Sequence, residues 1–412
     1  MTAKEFSRIA GRLMRCPAAP FHEAGVREAV ERLCAEHGLE FHRDRFGNVL
    51  VELKTARRAR PLVLAAHMDH PGFEIVRELA PGRWLARFNG GVPSRYFRQG
   101  VPVRLLPGAI PAKIFRRVGE GAPKQLELRA TRRATAHRPR PYALSVTATV
   151  RSRAGFTSGH ELEADAQAQA SASRDLTVAA TLAPYPRPTF AVWEMEDFAV
   201  RDGRIHGRSC DDLIGVASVL AALIELKRLG RKVHVIGVIS RAEEVGFMGA
   251  LTVAGAGLLP RGGLVISLET SKELPSVAMG RGVIIRVGDR SSIFDSKATR
   301  FLTEVADDLQ SEDRRFAFQR ALMSGGTCEA TAYQEFGLTT AGVCIALGNY
   351  HNCGPRGRLA AEFVSVADAC GMVRLLARAA ERMTQFDPLV GRLPARLKRL
   401  LVQARERLTE AP

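Results

Sequence analysis

The sequence predicts an α/β protein built on a mixed, mostly parallel sheet sandwiched by helices, with a small β domain inserted into it. Three observations carry this expectation. Four short apolar runs, PLVLAA, VHVIGVIS, GLVISL and AGVCIAL, have the length and composition of buried strands. Helical segments, above all DDLIGVASVLAALIELKRLG, lie between them, as the crossovers of a parallel sheet require. From about Phe73 to Trp193 the texture changes to short β-like runs punctuated by Gly and Pro, which marks the insertion. The expected divisions are residues 1–73 and 194–390 for the α/β part, 74–193 for the insertion and 391–412 for a terminal helix.

Residues 1–40 read as helical, with apolar spacing through Val26, Ala29, Val30, Leu33 and Cys34. FHRDRFGNVLVEL reads as a hairpin turning at Gly47, and Pro61 to His67 as a buried strand. Within the insertion, RWLARF, VPVRLL, AKIFRR, QLELRA and ALSVTATV read as β runs. Residues 132–141 and 161–174, poor in bulky apolar side chains, read as loop-like. After PRPTF the α/β texture resumes. The DDLIGV helix opens on aspartates that suit its positive N-terminus and closes near Gly230. VHVIGVIS, the GFMGALTVAGAG region and GLVISLE follow as strand, helix and strand, and Ser365 to Met383 as another helix. The tail LPARLKRLLVQARERL is a basic amphipathic helix, apolar at Leu393, Leu397, Leu400, Leu401 and Leu408. It suits packing or oligomer contact better than membrane anchoring.

At 412 residues and 46% hydrophobic, the chain can bury a substantial core. No run approaches the roughly 20 apolar residues of a membrane span, and MTAKEFSRIAGRLMRC lacks the apolar centre of a signal peptide. The seven cysteines form no CxxC pair, and their odd number and wide spacing suit a reducing cytosol. A cytoplasmic protein is expected. The net charge of +17 is concentrated in the insertion: from Val76 to Arg153 there are 17 Lys and Arg against Glu78, Glu120 and Glu127. A basic surface for an acidic partner is one reading; a well-solvated outer domain is the plainer one. Aromatics are few there and no nucleic-acid-binding motif is present, so no specific nucleic-acid partner is expected.

The chemistry-bearing candidates are His67, Asp211, Glu243, Glu244, Glu269 and His351. Each lies just past an apolar run or opens a helix. In open α/β sheets, ligands gather beyond the carboxyl ends of the parallel strands, so these groups would meet in space. Two histidines with several carboxylates suit a pair of divalent ions. Singly, each has an ordinary explanation. His67 could be structural, although Asp69 at two residues' spacing could accept its second imidazole N–H and orient the ring. Asp211 and Asp212 could both be helix caps. Glu243 and Glu244 could sit in a solvated loop, yet adjacent glutamates at a strand end repel unless cations are near. One of the two could bind metal while the other acts as general base. His70, Cys210 and Cys328 are at most lining residues, and Cys353 is not required as a ligand.

Taken together, AAHMDHPGF, GRSCDDLIGVASVL, SRAEEVGFMGA, VISLETSKELPSVAMGRG, SGGTCEATAYQEFG and GNYHNCG resemble the co-catalytic metallo-aminopeptidases of the tetrahedral and glutamyl aminopeptidase family. DRFGNVLVEL adds to the likeness, which extends from about residue 15 to 380. The resemblance implies a zinc-peptidase-like fold with an inserted β domain. It implies that His67, Asp211 and Glu269 hold one metal and Asp211, Glu244 and His351 the other, with Glu243 as general base and Asp69 orienting His67. Leu213 stands where the family has Arg, His70-Pro71 where it has Glu-Ile, and Cys328 where it has Asp. These departures touch substrate preference and assembly, not the ligands.

The expected activity is therefore a dinuclear metal-dependent hydrolase, an aminopeptidase removing N-terminal residues from peptides. Zinc is the expected metal, with cobalt or manganese able to substitute. A homo-oligomer without membrane attachment is expected. Two alternatives remain at this level: an amidohydrolase or deacylase acting on small N-acyl substrates with the same site, and a degenerate, non-enzymatic basic scaffold.

Overall fold

The computed structural model describes residues 1–118, 124–131, 187–386 and 395–409. Helices α1 (Ala3–Met14) and α2 (Ala24–Glu36) lead into strands β1 (Glu40–Arg43), β2 (Val49–Lys54) and β3 (Pro61–His67). Six strands follow: β4 (Gly72–Ala80), β5 (Arg83–Asn89), β6 (Pro102–Leu106), β7 (Ile110–Val118), β8 (Lys124–Ala130) and β9 (Phe190–Trp193). Next come β10 (Ala199–Arg201), β11 (Arg204–Gly207), α3 (Cys210–Arg228), β12 (His234–Ser240), α4 (Met248–Gly255), β13 (Leu264–Lys272) and β14 (Val283–Gly288). The chain closes with α5 (Ser296–Glu312), β15 (Phe318–Leu322), α6 (Glu329–Glu335), β16 (Thr340–Gly348), β17 (Glu362–Ser365), α7 (Val366–Glu381) and α8 (Ala395–Thr409).

The main sheet runs β1-β2-β12-β3-β13-β16-β17-β11-β10, with β14 on β16 and β15 on β14. Its centre, β12-β3-β13-β16, is parallel, while antiparallel strands flank it on both sides. Alternation along β3 explains the near-continuous apolar run of this strand. Leu62, Leu64 and Ala66 join the core beneath α1, α2, α3 and α7. Val63 and Ala65 face the opposite side, with Ala250 and Val253 of α4 and Ala332 and Tyr333 of α6. A strand covered on both faces has no position for a solvent-facing residue. Helix α3 is buried along almost its whole length because it packs between the sheet and the outer helices α1 and α7, which is why its sequence lacks a polar face.

Strands β4 to β9 close into a barrel in the order β4-β5-β8-β7-β6-β9. Its centre is an aromatic cluster in which Phe73, Phe88 and Phe97 pack on Trp193 at centroid distances of 4.8, 5.5 and 5.5 Å. Closure removes the free edges that short strands would otherwise expose. ALSVTATV and the stretches 132–141 and 161–174 lie outside the described residues.

The sheet opens where the site lies. β3 pairs with β12 as far as Ser240 opposite His67, but with β13 only from Leu264 to Ser267. β13 then continues alongside β16 to Lys272. The strand thus runs three residues beyond Glu269, where GLVISLE was read as ending, because Thr270, Ser271 and Lys272 keep their partners on β16. The divergence of β3 and β13 is the crevice expected at a switch point of an α/β sheet.

Candidate metal centre

The candidate residues are delivered by five separate parts of the fold. His67 is the last residue of β3. Glu243 and Glu244 stand on a single turn after β12, reached through Ala242 at φ 52° and left through Gly246 at φ 110°. Glu269 projects from β13 and His351 from a turn after β16. Asp211 and Asp212 both lie at the start of α3 with non-helical backbones, but they divide the work. Asp212 Oδ1 accepts the Gly215 N–H at 3.1 Å, capping the helix. A Cβ on Gly215 would lie 2.1 Å from Asp212 Oδ2, so only glycine admits this cap. Asp211 is left to face the crevice.

The six side chains converge. Ligand atoms of His67, Glu243 and Glu269 lie within 4.8 Å of one another, and so do those of Asp211, Glu244 and His351. Asp211 stands between the two groups: Oδ1 is 3.7 Å from His67 Nε2 and Oδ2 is 3.5 Å from His351 Nε2. Glu244 Oε1 lies 3.1 Å from His351 Nε2, and Glu243 Oε2 lies 3.9 Å from His67 Nε2. Asp69 serves differently from the simple expectation. Its carboxylate accepts the backbone N–H groups of Glu243 and Glu244 at 2.9 and 3.1 Å. His67 Nδ1 is nearer the Asp69 carbonyl oxygen, at 3.1 Å, than its carboxylate, at 3.5 Å. The inserted barrel also reaches the site: the Gly91 carbonyl oxygen lies 3.0 Å from His351 Nδ1, which turns Nε2 toward Asp211 and Glu244.

The charges of the cluster are unbalanced. Burial pushes the Glu269 carboxyl up to about 8, with His67 opposing and Asp211 reinforcing the shift. Burial likewise pushes Glu243 well up, against the pull of His67 and with the help of Glu269 and Glu244. Burial alone would depress both imidazoles. Instead Glu243 and Asp69 raise His67 well above its ordinary value, and Glu244 and Asp211 do the same to His351. A buried set of carboxylates that draws protons onto its histidines is short of positive charge. Asp211 Oδ1 and Glu269 Oε1 are buried and accept no hydrogen bond, so each keeps lone pairs for a cation. Imidazole nitrogen and carboxylate oxygen together fit a divalent metal.

Several supporting residues were not picked out from sequence. Glu23 accepts Arg241 Nε–H at 2.9 Å and the Ala242 N–H at 3.2 Å, and Asn48 Oδ1 accepts the Arg241 N–H at 3.0 Å. They fix the turn that carries Glu243 and Glu244. Gly249 closes it, since a Cβ there would lie 2.4 Å from Arg241 N. His70, treated as a lining residue, is fully buried, with Nδ1 2.7 Å from the Asp211 carbonyl oxygen and Nε2 3.0 Å from Asn352 Oδ1. Glu362 joins Asp211 to His351 through their amides. Beside the cluster, a cavity is lined by Glu269, Lys272, Arg286, Thr327, Cys328 and Tyr350.

A two-histidine, multi-carboxylate cluster in the crevice of a mixed sheet is the arrangement a metal-dependent hydrolase needs, and comparison with known proteins gives the class. Residues 187–360 match the family model of the M42 glutamyl aminopeptidases. The resemblance read from the motifs is borne out, and the chain is a metal-dependent aminopeptidase, a hydrolase of peptide bonds. No curated protein sequence matches the chain. The fold is shared with solved structures. An aminopeptidase of the archaeon Desulfurococcus kamchatkensis is 22% identical, with a TM-score of 0.67 over 95% of this chain and 99% of that one. The TET aminopeptidase of Thaumarchaeota archaeon SCGC AB-539-E09 is 18% identical, with a TM-score of 0.67 over 94% and 99%. The TET1 peptidase of Pyrococcus horikoshii, described as assembling into a tetrahedron or a large octahedral shell, is 20% identical, with a TM-score of 0.64 over 92% and 99%.

Proposed function

We propose that the chain is a dinuclear zinc aminopeptidase that works as a cytoplasmic homo-oligomer. His67, Asp211 and Glu269 hold one ion; Asp211, Glu244 and His351 hold the other. The observation that carries this reading is the aim of Asp211, whose two oxygens address His67 and His351 separately. When bound, the ions supply Lewis acidity that polarises the scissile carbonyl and lowers the pKa of the attacking water. Glu243 takes a proton from that water and passes it to the nitrogen of the leaving chain. Asp69 holds Glu243 and Glu244 by their amides and supports the His67 ring. Nitrogen and oxygen donors favour zinc, with cobalt or manganese as substitutes.

The side cavity supports an acidic preference at the N-terminal residue of the substrate. Arg286 is buried in its wall, its Nε has no partner, and no carboxylate is within ion-pair range of it among the described residues. Lys272 stands beside it. A buried guanidinium with an unpartnered N–H, offset only at longer range by Glu269 and Asp289, favours an anionic group entering from the substrate. Oligomer formation is supported by the exposed apolar positions of α8, Leu397, Leu400, Leu401 and Val402, and by the assembly described for the Pyrococcus horikoshii neighbour. Among the described residues, no helix is long and apolar enough to cross a membrane.

The test is hydrolysis of matched chromogenic substrates with a free or an acetylated amine and Glu, Leu or Lys as first residue. We expect cleavage of the free amines, fastest for Glu, and a selective loss of kcat/KM for Glu in Arg286→Met. Comparable cleavage of the acetylated set would instead favour the deacylase. An unchanged order of preference in Arg286→Met would remove the cavity's assigned role.

A further inference from the structure

We propose that Glu362 is a positioning residue of the metal centre, a buried carboxylate that fixes the separation of Asp211 and His351 by accepting the backbone N–H of each. The inference rests on the assignment of those two residues to one ion. Glu362 opens β17, far in sequence from Asp211 and eleven residues after His351. Its Oε2 accepts the Asp211 N–H at 3.0 Å and its Oε1 accepts the His351 N–H at 2.8 Å. The side chain is fully buried, and no basic side chain is in ion-pair range of it among the described residues. An isolated buried carboxyl is costly unless its oxygens are satisfied, and here two amides from two separate elements provide that satisfaction.

Both amides belong to residues whose conformations need outside support. Asp211 departs from helical geometry at the start of α3. His351 stands at φ 53°, in the left-handed region that a β-carbon disfavours, and Asn349 and Asn352 on either side share it. Such backbones persist only where their surroundings over-determine them. Asp69 offers an independent parallel: it too is a buried carboxylate accepting two amides, those of Glu243 and Glu244. Asp69 and Glu362 thus position four of the six cluster residues through the main chain, leaving the side chains free to face the ions. Glu362 holds His351, which serves one ion, as well as Asp211, which serves both, so its loss should fall most heavily on the ion assigned to Asp211, Glu244 and His351.

The test is titration of the full-length, chelator-stripped chain with Co²⁺, followed by visible absorption and calorimetry. The wild type should take up two equivalents. Glu362→Gln places an amide NH₂ against one of the two N–H groups. It should bind the second equivalent about 10- to 100-fold more weakly than the wild type does, the range found for outer partners of metal ligands, with a clearly smaller loss on the first. Ser365→Ala removes the cap of α7 from the end of the same strand without touching either amide, and should titrate as the wild type. If Glu362→Gln does not fold, Glu362→Asp, one methylene shorter and able to serve one amide, should show the same selective weakening. Wild-type titration by the Glu362 variants, equal weakening of both equivalents, or the same loss in Ser365→Ala would overturn the positioning role. A wild type that binds no metal would overturn the underlying assignment instead.

Discussion

The roles of Glu243 and Glu244 are separable by a single atom. Glu244 lies 3.1 Å from His351 Nε2, whereas Glu243 faces His67 at 3.9 Å. Glu244→Gln should lower metal content at one position, measured by elemental analysis. Glu243→Gln should keep both ions and lower kcat by roughly 10²–10⁴-fold, the usual range for a general base, with little change in KM. Equal metal loss in the two variants, or near-normal turnover by Glu243→Gln, would reverse or remove the assignment. At this scale, the residues with a linear signal were legible: a histidine closing an apolar strand, paired acids after another. Glu362, Glu23 and Asn48 were not, because their work is done through backbone amides of residues distant in sequence, or through a single arginine. A four-residue strand opening on Glu362 carries no pattern that announces such a contact. Asp69 was legible as a supporting residue, but its principal partners, two amides some 170 positions away, could be found only in the fold.

Among the elements, the barrel has its own electrostatic lock. Glu127 is buried on β8 beneath three arginines: Arg83 Nε at 2.7 Å, Arg129 Nε at 3.1 Å and Arg116 Nε at 2.9 Å. Hydrogen bonding from Arg83, then from Arg129 and Arg116, holds its carboxyl down at about 2. A carboxylate depressed in the folded state stabilises above its unfolded pKa, and that stabilisation is lost as pH falls through the folded value. Glu127→Gln should therefore lower thermal stability fully at neutral pH, and the difference from wild type should shrink as pH falls from about 4.5 toward about 2. Melting curves of both proteins across that window check it; a pH-independent difference would contradict the lock. Of the β runs of this domain, RWLARF, VPVRLL, AKIFRR and QLELRA were legible because short apolar runs between Gly and Pro have few other readings. The elements β14, β15, α5 and α6 were not assigned from sequence. β15 is short and largely half-exposed, and the apolar run of β14, though buried, is short and broken by Arg286, so neither shows the unbroken run that marks the central strands. α6, at seven residues, is too short for a helical period to stand out.

For the whole molecule, the central parallel strands were the most legible feature, because burial on both faces leaves a continuous apolar signature. The antiparallel flanks were less so, since a half-exposed strand with few residues resembles a loop. What no linear reading supplies is the divergence of β3 from β13, which opens the crevice and turns Glu269 from a mid-strand residue into a member of the cluster. On this reading the crevice holds two divalent ions on two histidines and three carboxylates, with Glu243 beside them as the base. Elemental analysis of the full chain, purified without chelator, tests it most directly, paired with peptide hydrolysis before and after chelation. We expect close to two divalent ions per chain, zinc foremost, with activity lost on chelation and restored by zinc, cobalt or manganese. A chain that carries no metal, gains none when these ions are added, and hydrolyses peptides equally well in the presence of chelator would contradict it.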